Sequence, residues 1–294
     1  MIAVEILSPD VAGAYAHLTF PALRHLVTAP PRDREMVFVG VAVEDEPVAF
    51  AFGMGGPERQ FEMVSLYVQS FYRGRGLRGA LTEVLEKAFA ARGYGLGVHF
   101  FTVDAEDQAY AHFLLKAGWS QPILRQAVCK TDLAHAYQTP WLTRAHIPEN
   151  STIRPWSEIS AAEREALRAR KVVDPDFYPD LLDPFHFEAD CHDATSLALL
   201  QDGAVVGWVL THVLDERTLR WTCSYVTETL QGKGHILPLW WEVAKRQKRH
   251  TKLDHFIYTT PVDKPRMLRF ALRRMRPWLL SLGYACVTTK PLVP

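Results

Sequence analysis

Hydrophobic residues along this chain alternate in short runs, and each run stops at a polar or proline-bearing turn. Ile2-Ala3-Val4-Glu5-Ile6-Leu7 opens with the two-residue period of a strand. A helical region over residues 12–26 follows and ends before Pro30-Pro31, which cannot continue a helix. Met36–Val43 and residues 48–52 are apolar and β-branched, and Glu44-Asp45-Glu46-Pro47 between them predicts a hairpin. Residues 63–68 predict a further strand. Leu77, Leu81, Val84, Leu85 and Ala88 then recur at helical spacing, so a helix starts directly after Gly76 and ends at Gly93 and Gly95. Residues 98–103 predict a strand, and 108–116 a helix running up to Gly118-Trp119.

The same succession restarts at Thr152-Ile153-Arg154-Pro155. A helix over 161–170, a loop-rich stretch over 175–190, a hairpin around Gln201-Asp202-Gly203-Ala204 and a strand over 220–226 are predicted. A helix to about His250, a strand over 255–259 and a long helix to Leu282 complete the second half. The halves are in register. Tyr67-Val68 and Arg73-Gly74-Arg75-Gly76 recur 158 residues later as Tyr225-Val226 and Gln231-Gly232-Lys233-Gly234. Val48 and Val206, Leu81 and Leu239, and Lys87 and Lys245 keep that offset, which marks a duplication. The fold class expected is α/β (α+β mixed): two tandem domains, each a mixed, mostly antiparallel twisted sheet with helices on both faces. The expected boundaries are residues 1–145 and 151–294, with residues 132–151 as linker.

A length of 294 residues and a 48 % hydrophobic share suit two buried cores. No apolar run approaches the roughly 20 residues of a membrane span. No basic, apolar leader precedes the first strand, so a cytoplasmic chain is expected. Cys129, Cys191, Cys223 and Cys286 fit neither a zinc pattern nor a disulfide framework, and no metal is expected. The formal net charge of +0 argues against bulk nucleic-acid binding. Twelve Lys and Arg against three acids between residues 231 and 277 leave one basic region, with Arg266, Arg269, Arg273 and Arg276 on one helix face. A solvated face is the plainer reading; a strip for an acidic partner or a tRNA arm is the sharper one.

A strand that enters a glycine turn and then a helix aims several backbone N–H groups at one point, with the positive end of the helix dipole behind them. That makes each repeated segment an anion cradle, and Arg73, Arg75 and Arg78 add charge suited to a pyrophosphate. Dinucleotide-binding and Walker patterns are absent from it.

The string Leu66-Tyr67-Val68-Gln69-Ser70-Phe71-Tyr72-Arg73-Gly74-Arg75-Gly76-Leu77 resembles the strand-to-helix signature [QR]-x-x-G-x-[GA] of the GNAT superfamily of acyl-CoA-dependent N-acetyltransferases. The stretch from Asp107 to Gly118-Trp119 is similar to that family's last helix and its Gly-Phe ending. The resemblance implies that acetyl-CoA is the donor substrate. Backbone groups of Leu66 and Val68 would face its pantetheine arm, and Arg73, Gly74, Arg75, Gly76, Leu77, Arg78 and Gly79 would surround its phosphates. Arg78 and Ile236 stand where the signature has a small residue, and a branched isoleucine offers only bulk there. The first copy is therefore the expected acetyl-CoA site, and the second a degenerate one.

Some family members carry a glutamate base eleven residues before [QR]. Here that position is Glu62, with Arg220 in the second copy, and an arginine cannot be a base. Glu62 reads equally as an exposed strand residue paired with a cation. The family's usual acid is a tyrosine four residues before Gly-Phe, where this chain has Leu114 and Leu279. Tyr110, one turn earlier, is a substitute acid or a packing residue, and His99 reads as structural. Asp190-Cys191-His192-Asp193 reads as a polar loop, and Trp221 and Trp240-Trp241 as core and interface aromatics. The function expected is acetyl transfer from acetyl-CoA to a primary amine of a small molecule. Its rivals are a non-catalytic acyl-CoA-binding protein and an aminoacyl-tRNA-dependent transferase.

Overall fold

A computed structural model describes residues 3–104, 108–232 and 234–293. It divides into two compact units, Met1–Arg125 with Tyr284–Pro294, and Gln126–Gly283. The strands are β1 Glu5–Leu7, β2 Met36–Val43, β3 Glu46–Gly55, β4 Gln60–Val68, β5 Leu96–Asp104, β6 Ile123–Asp132, β7 Ser151–Pro155, β8 Leu197–Gln201, β9 Ala204–Val213, β10 Thr218–Val226, β11 His255–Pro261 and β12 Ser281–Pro291. Within the first unit the order is β1-β2-β3-β4-β5-β12, and within the second β6-β11-β10-β9-β8-β7. The pairings are antiparallel along both meanders, while β4–β5 and β10–β11 are parallel. This is the mixed, mostly antiparallel sheet that the element order predicts.

The hairpins are positioned by their turns. Glu44 and Asp45 have φ of 51° and 64°, and Asp202 and Gly203 have 50° and 81°. Two consecutive left-handed residues make the tight turn whose twist matches the flanking strands. Behind the first meander packs α1, Leu77–Ala90, which buries Leu77, Leu81, Leu85 and Phe89 against Phe61 and Met63 of β4. Each fully buried side chain of this size contributes on the order of 2 kcal/mol. The opposite face is covered by residues 9–28, through Tyr15, Leu18 and Val27 against Phe38, Phe50 and Phe52. After β5 comes α2, Ala109–Lys116. The second unit repeats the plan with α3, Ala161–Val173, and α4, Leu237–His250. A full Ser160/Glu163 capping box starts α3.

Several details differ from the sequence pattern. The first helical region is broken into Pro9–Ala12, a 3-10 stretch Gly13–Leu18 and Arg24–Thr28. Residues 132–151 carry structure: Asp132 caps Leu133–Gln138 by accepting from the His135 N–H at 2.8 Å, and Pro140–Thr143 follows. Both helices belong to the second unit, as does most of β6. The long final helix stops early, in Pro265–Phe270 and two further short turns, because Pro277 has no N–H to extend a ladder. From Ser281 the chain is strand, and residues 284–294 join the first unit. Lys290 fastens that segment there, donating to buried Glu86 at 2.6 Å, which also accepts from Trp119 Nε1 at 2.9 Å.

Candidate active site

Strands β4 and β5 run in register only over Gln60↔Leu96, Phe61↔Gly97 and Glu62↔Val98. Beyond that point β4 keeps its ladder with β3 but pairs with no strand on the β5 side among the described residues. A bulge between Phe52 and Gly53, opposite the step from Ser65 to Met63, bends the strand where the separation begins. The Gln69 N–H turns toward β3 to reach the Val48 carbonyl at 3.0 Å. Strand alternation then aims the backbone of Leu66 and Val68 at the opened edge. Both predicted pantetheine positions therefore present main-chain groups into the gap.

At the head of that gap stands His99. Its Nδ1 lies 2.6 Å from the Met63 carbonyl and its Nε2 2.8 Å from the Tyr110 hydroxyl. A carbonyl only accepts, so Nδ1 carries the proton, Nε2 is the bare nitrogen, and Tyr110 donates to it. Burial lowers the His99 pKa to about 4, so the ring is neutral at neutral pH. Burial also raises the Tyr110 phenol well above its usual range, with Arg78 pulling it back. The guanidinium of Arg78 lies 5.2 Å from the Tyr110 ring centre and 5.2 Å from that of Phe113. The residue standing at the signature's small position thus folds onto α2 and packs as a cation on aromatic faces.

The gap leads to the glycine turn. Gly74 and Gly76 have φ of 76° and 79°, a region that side chains rarely adopt. At Gly74, Gly76 and Gly79 an added Cβ would meet nothing within 4 Å. The first N–H to find a carbonyl is that of Ala80, on Gly76 at 3.1 Å, which leaves those of Leu77, Arg78 and Gly79 at the start of α1. Arg75 lies over Phe71 and Tyr72, at 5.1 and 5.4 Å. Arg73 behaves differently from the expectation of a phosphate ligand: its Nε donates to the Val68 carbonyl at 3.1 Å and closes the turn. In the second copy Gln231 Nε2 makes the same bond to Val226 at 2.9 Å. Arginine and glutamine share one reach and one donor, which explains why either serves at this position.

Glu62 lies on the sheet face opposite α1, half-buried, between Met54 on β3 and Val98 on β5. Burial raises its carboxyl pKa, and the charge of Arg34 opposes that rise. On the same face the buried Thr19 hydroxyl donates to Ser65 at 2.8 Å and holds the exposed Phe20 corner against β4. Leu114, at the usual tyrosine position, is fully buried in the core and can present nothing to the gap.

Residues 3–119 match the model of the acetyltransferase (GNAT) family. The first unit thus matches the GNAT family, and the fold of the whole chain is that of tandem GNAT proteins. A tandem GNAT protein from the clavulanic acid biosynthesis pathway superposes with a TM-score of 0.65 at 12 % identity, over 100 % of this chain and 99 % of that one. A GCN5-related N-acetyltransferase from Sphaerobacter thermophilus gives 0.61 at 18 %, over 100 % and 96 %. Another from Kribbella flavida gives 0.51 at 15 %, over 95 % of each chain. No curated protein sequence matches this one. That match supports, in general terms, an acyl-CoA-dependent acetyltransferase in residues 3–119.

The second GNAT-like unit keeps the outline and changes the contents. Strands β10 and β11 pair from Thr218↔His255 to Trp221↔Tyr258, with a bulge between Trp221 and Cys223. Tyr258 stands at the register of His99, and its hydroxyl lies 2.6 Å from the sulfur of Met275, which precedes Leu279 by four residues as Tyr110 precedes Leu114. Trp221 stacks on Phe256 at 4.2 Å, and Trp240 lies 6.3 Å from both Trp221 and Tyr258. Indole rings therefore fill the side of this gap that faces α4. The helix also starts two residues later than in the first copy: Leu237 N–H bonds to Gly234 at 3.0 Å, and Pro238 has no N–H. Lys233 lies outside the described residues, as does Asp107 at the head of the last-helix resemblance.

Asp190, Cys191, His192 and Asp193 form a polar loop in which His192 Nδ1 bonds to Thr195 at 2.9 Å. Among the described residues no group of three His, Cys, Asp or Glu side chains could hold a metal ion, and no helix is long and apolar enough to cross a membrane. Sequence reasoning passed over His99 as a functional residue. Its signal lay in the period of β5, which puts Gly97, His99 and Phe101 on the α1 side with Tyr110.

Proposed function

We propose that the first unit binds acetyl-CoA and transfers its acetyl group to a primary amine of a small molecule. The observation that carries this reading is the opened β4 edge, which has a neutral His99–Tyr110 pair at one end and the glycine cradle at the other. Open space over Gly74, Gly76 and Gly79, together with three helix-start N–H groups, fits a pyrophosphate. Acetyl-CoA, when bound, supplies a thioester carbonyl activated for attack by an amine.

The protein's own groups would divide the remaining work. Backbone groups of Leu66 and the N–H of Val68, whose carbonyl already accepts from Arg73, hold an extended amide-bearing arm by strand addition. The N–H groups of Leu77, Arg78 and Gly79 hold phosphate oxygens, with Arg75 adding charge at the turn. Glu62, whose raised pKa makes it a stronger base than a free carboxylate, takes the proton that an attacking amine must lose. Tyr110 keeps its proton at neutral pH, rests it on His99 Nε2, and would turn it from there to a departing thiolate. His99 holds the hydroxyl in place until then and, being neutral, brings no charge into the gap. The second unit is a degenerate copy.

Release of free thiol from acetyl-CoA, measured against a panel of primary amines, tests this reading. Amine-stimulated release is expected, and in Glu62→Gln it falls about 100-fold and loses the limb that rises as Glu62 deprotonates. That limb lies above the ordinary carboxylate range because burial raises the pKa. Thiol release unaffected by any amine contradicts the assignment.

A further inference from the structure

Opposite α4, the second unit carries an open cleft of about 320 Å³ lined by His186, Phe187, His212, Val213, Arg220 and Thr222. Its sheet floor is the counterpart of the Glu62 face. His212 pairs with Arg220 across β9 and β10, as Met54 pairs with Glu62 in the first unit. The duplication has therefore reversed the charge at one position, from a carboxylate to a guanidinium. A face that suits an amine in the first copy suits an anion in the second.

The surroundings leave Arg220 available. It has no ion-pair partner among the described residues, and it is exposed at the cleft. Two acids of the loop before β8 are engaged elsewhere. Glu188 pairs with Arg164 and Arg168, and Asp183 accepts from the Phe185 N–H at 2.9 Å. Asp190 and Asp193 line an adjoining cleft that shares the His212 and Val213 wall. His212 is held on both sides, with Nε2 3.2 Å from the Ala189 carbonyl and Nδ1 2.8 Å from the Thr222 hydroxyl. The carbonyl accepts, so Nε2 carries a proton and donates to it, while Nδ1 is held against the Thr222 hydroxyl. This arrangement is a fixed wall beside a free cation. Phe187, Val213 and Leu214 add apolar surface next to it.

We infer that this cleft binds a small organic carboxylate, with its charge on Arg220 and its carbon skeleton against Phe187 and Val213. The guanidinium fork matches a carboxylate in two parallel hydrogen bonds. Phosphate offers the same oxygens but no apolar body for the wall, and one arginine leaves its second charge unmatched.

Calorimetric titration of the full chain with sodium hexanoate, hexanamide and inorganic phosphate tests the site. Hexanoate should bind at one site, hexanamide should bind at least about tenfold more weakly, and phosphate should also be weaker than hexanoate. Arg220→Gln should lower hexanoate affinity by about tenfold or more, while Arg220→Lys should lose less. Acetyl-CoA binding should stay the same in both variants, which separates this site from the activity proposed for the first unit. The hexanamide arm needs no variant, so the test survives a misfolded one. Equal binding of hexanoate and hexanamide, equal hexanoate affinity in Arg220→Gln, tighter binding of phosphate than of hexanoate, or no hexanoate binding each overturns the proposal.

Discussion

The two glycine turns of this chain share a backbone and differ in what surrounds it. Gly74 and Gly76 have φ of 76° and 79°, and Gly232 and Gly234 have 76° and 78°. Arg73 and Gln231 each close their turn on the last carbonyl of the preceding strand. Yet α1 begins immediately after Gly76, whereas α4 begins three residues after Gly234 and has Pro238 in its first turn. The first turn keeps N–H groups pointed outward; the second uses one internally and lacks another. Upstream, His99 and Tyr110 form a hydrogen-bonded pair where the second copy has Tyr258 and Met275 among indole rings. The duplication retains the backbone of the turn and changes the side chains beside it.

Converting the first copy toward the second is the sharpest way to break this comparison. Tyr110→Met installs the residue of the matching position. It should lower kcat for the amine found by thiol release by about 10²–10⁴-fold, with the KM for acetyl-CoA within about threefold. A parallel rise in KM would mean that Tyr110 shapes the cleft instead of moving a proton.

The next largest effect is on stability. His99 titrates near its ordinary 6.5 when unfolded and at about 4 when folded. Between those values the unfolded chain binds more protons, so stability is full above about pH 6.5 and is lost as pH falls toward 4. The loss attributable to this one ring is about 3 kcal/mol. Urea unfolding of His99→Gln should show that much less dependence on pH over the same range, while Tyr258→Phe should leave the dependence unchanged.

A smaller effect tests the shared bond. Arg73→Gln copies the second unit and should leave acetyl-CoA affinity within about threefold. Arg73→Ala frees the turn and should weaken binding by about tenfold, the worth of roughly one hydrogen bond. Calorimetry on the three proteins distinguishes a turn-closing side chain from a phosphate ligand, for which both variants would lose affinity alike.

Much of this was legible in the residues. The constant 158-residue offset located both hairpins, both turns and both long helices, because main-chain patterns survive duplication. The structure of 132–151 and the exchange of 284–294 were not legible. Capping by Asp132 is a single local bond, and a strand's assignment to a unit depends on long-range pairing. Of the residues proposed for the site, the glycines follow from spacing and Glu62 and Tyr110 from the family resemblance, whereas the His99 bridge depends on where β4 and β5 part. The direction of Arg78 likewise depends on rings supplied by α2.

Acetyl-CoA titrated calorimetrically into Gly79→Glu and His235→Glu tests the central assignment most directly. Gly79 has open space around its Cβ position and an ordinary φ, so a glutamate there brings negative charge to the turn without distorting the helix. Affinity should fall about 100-fold in Gly79→Glu, with an unchanged Tm, and stay within about twofold in His235→Glu. Loss of binding in His235→Glu alone would move the acetyl-CoA site to the second unit.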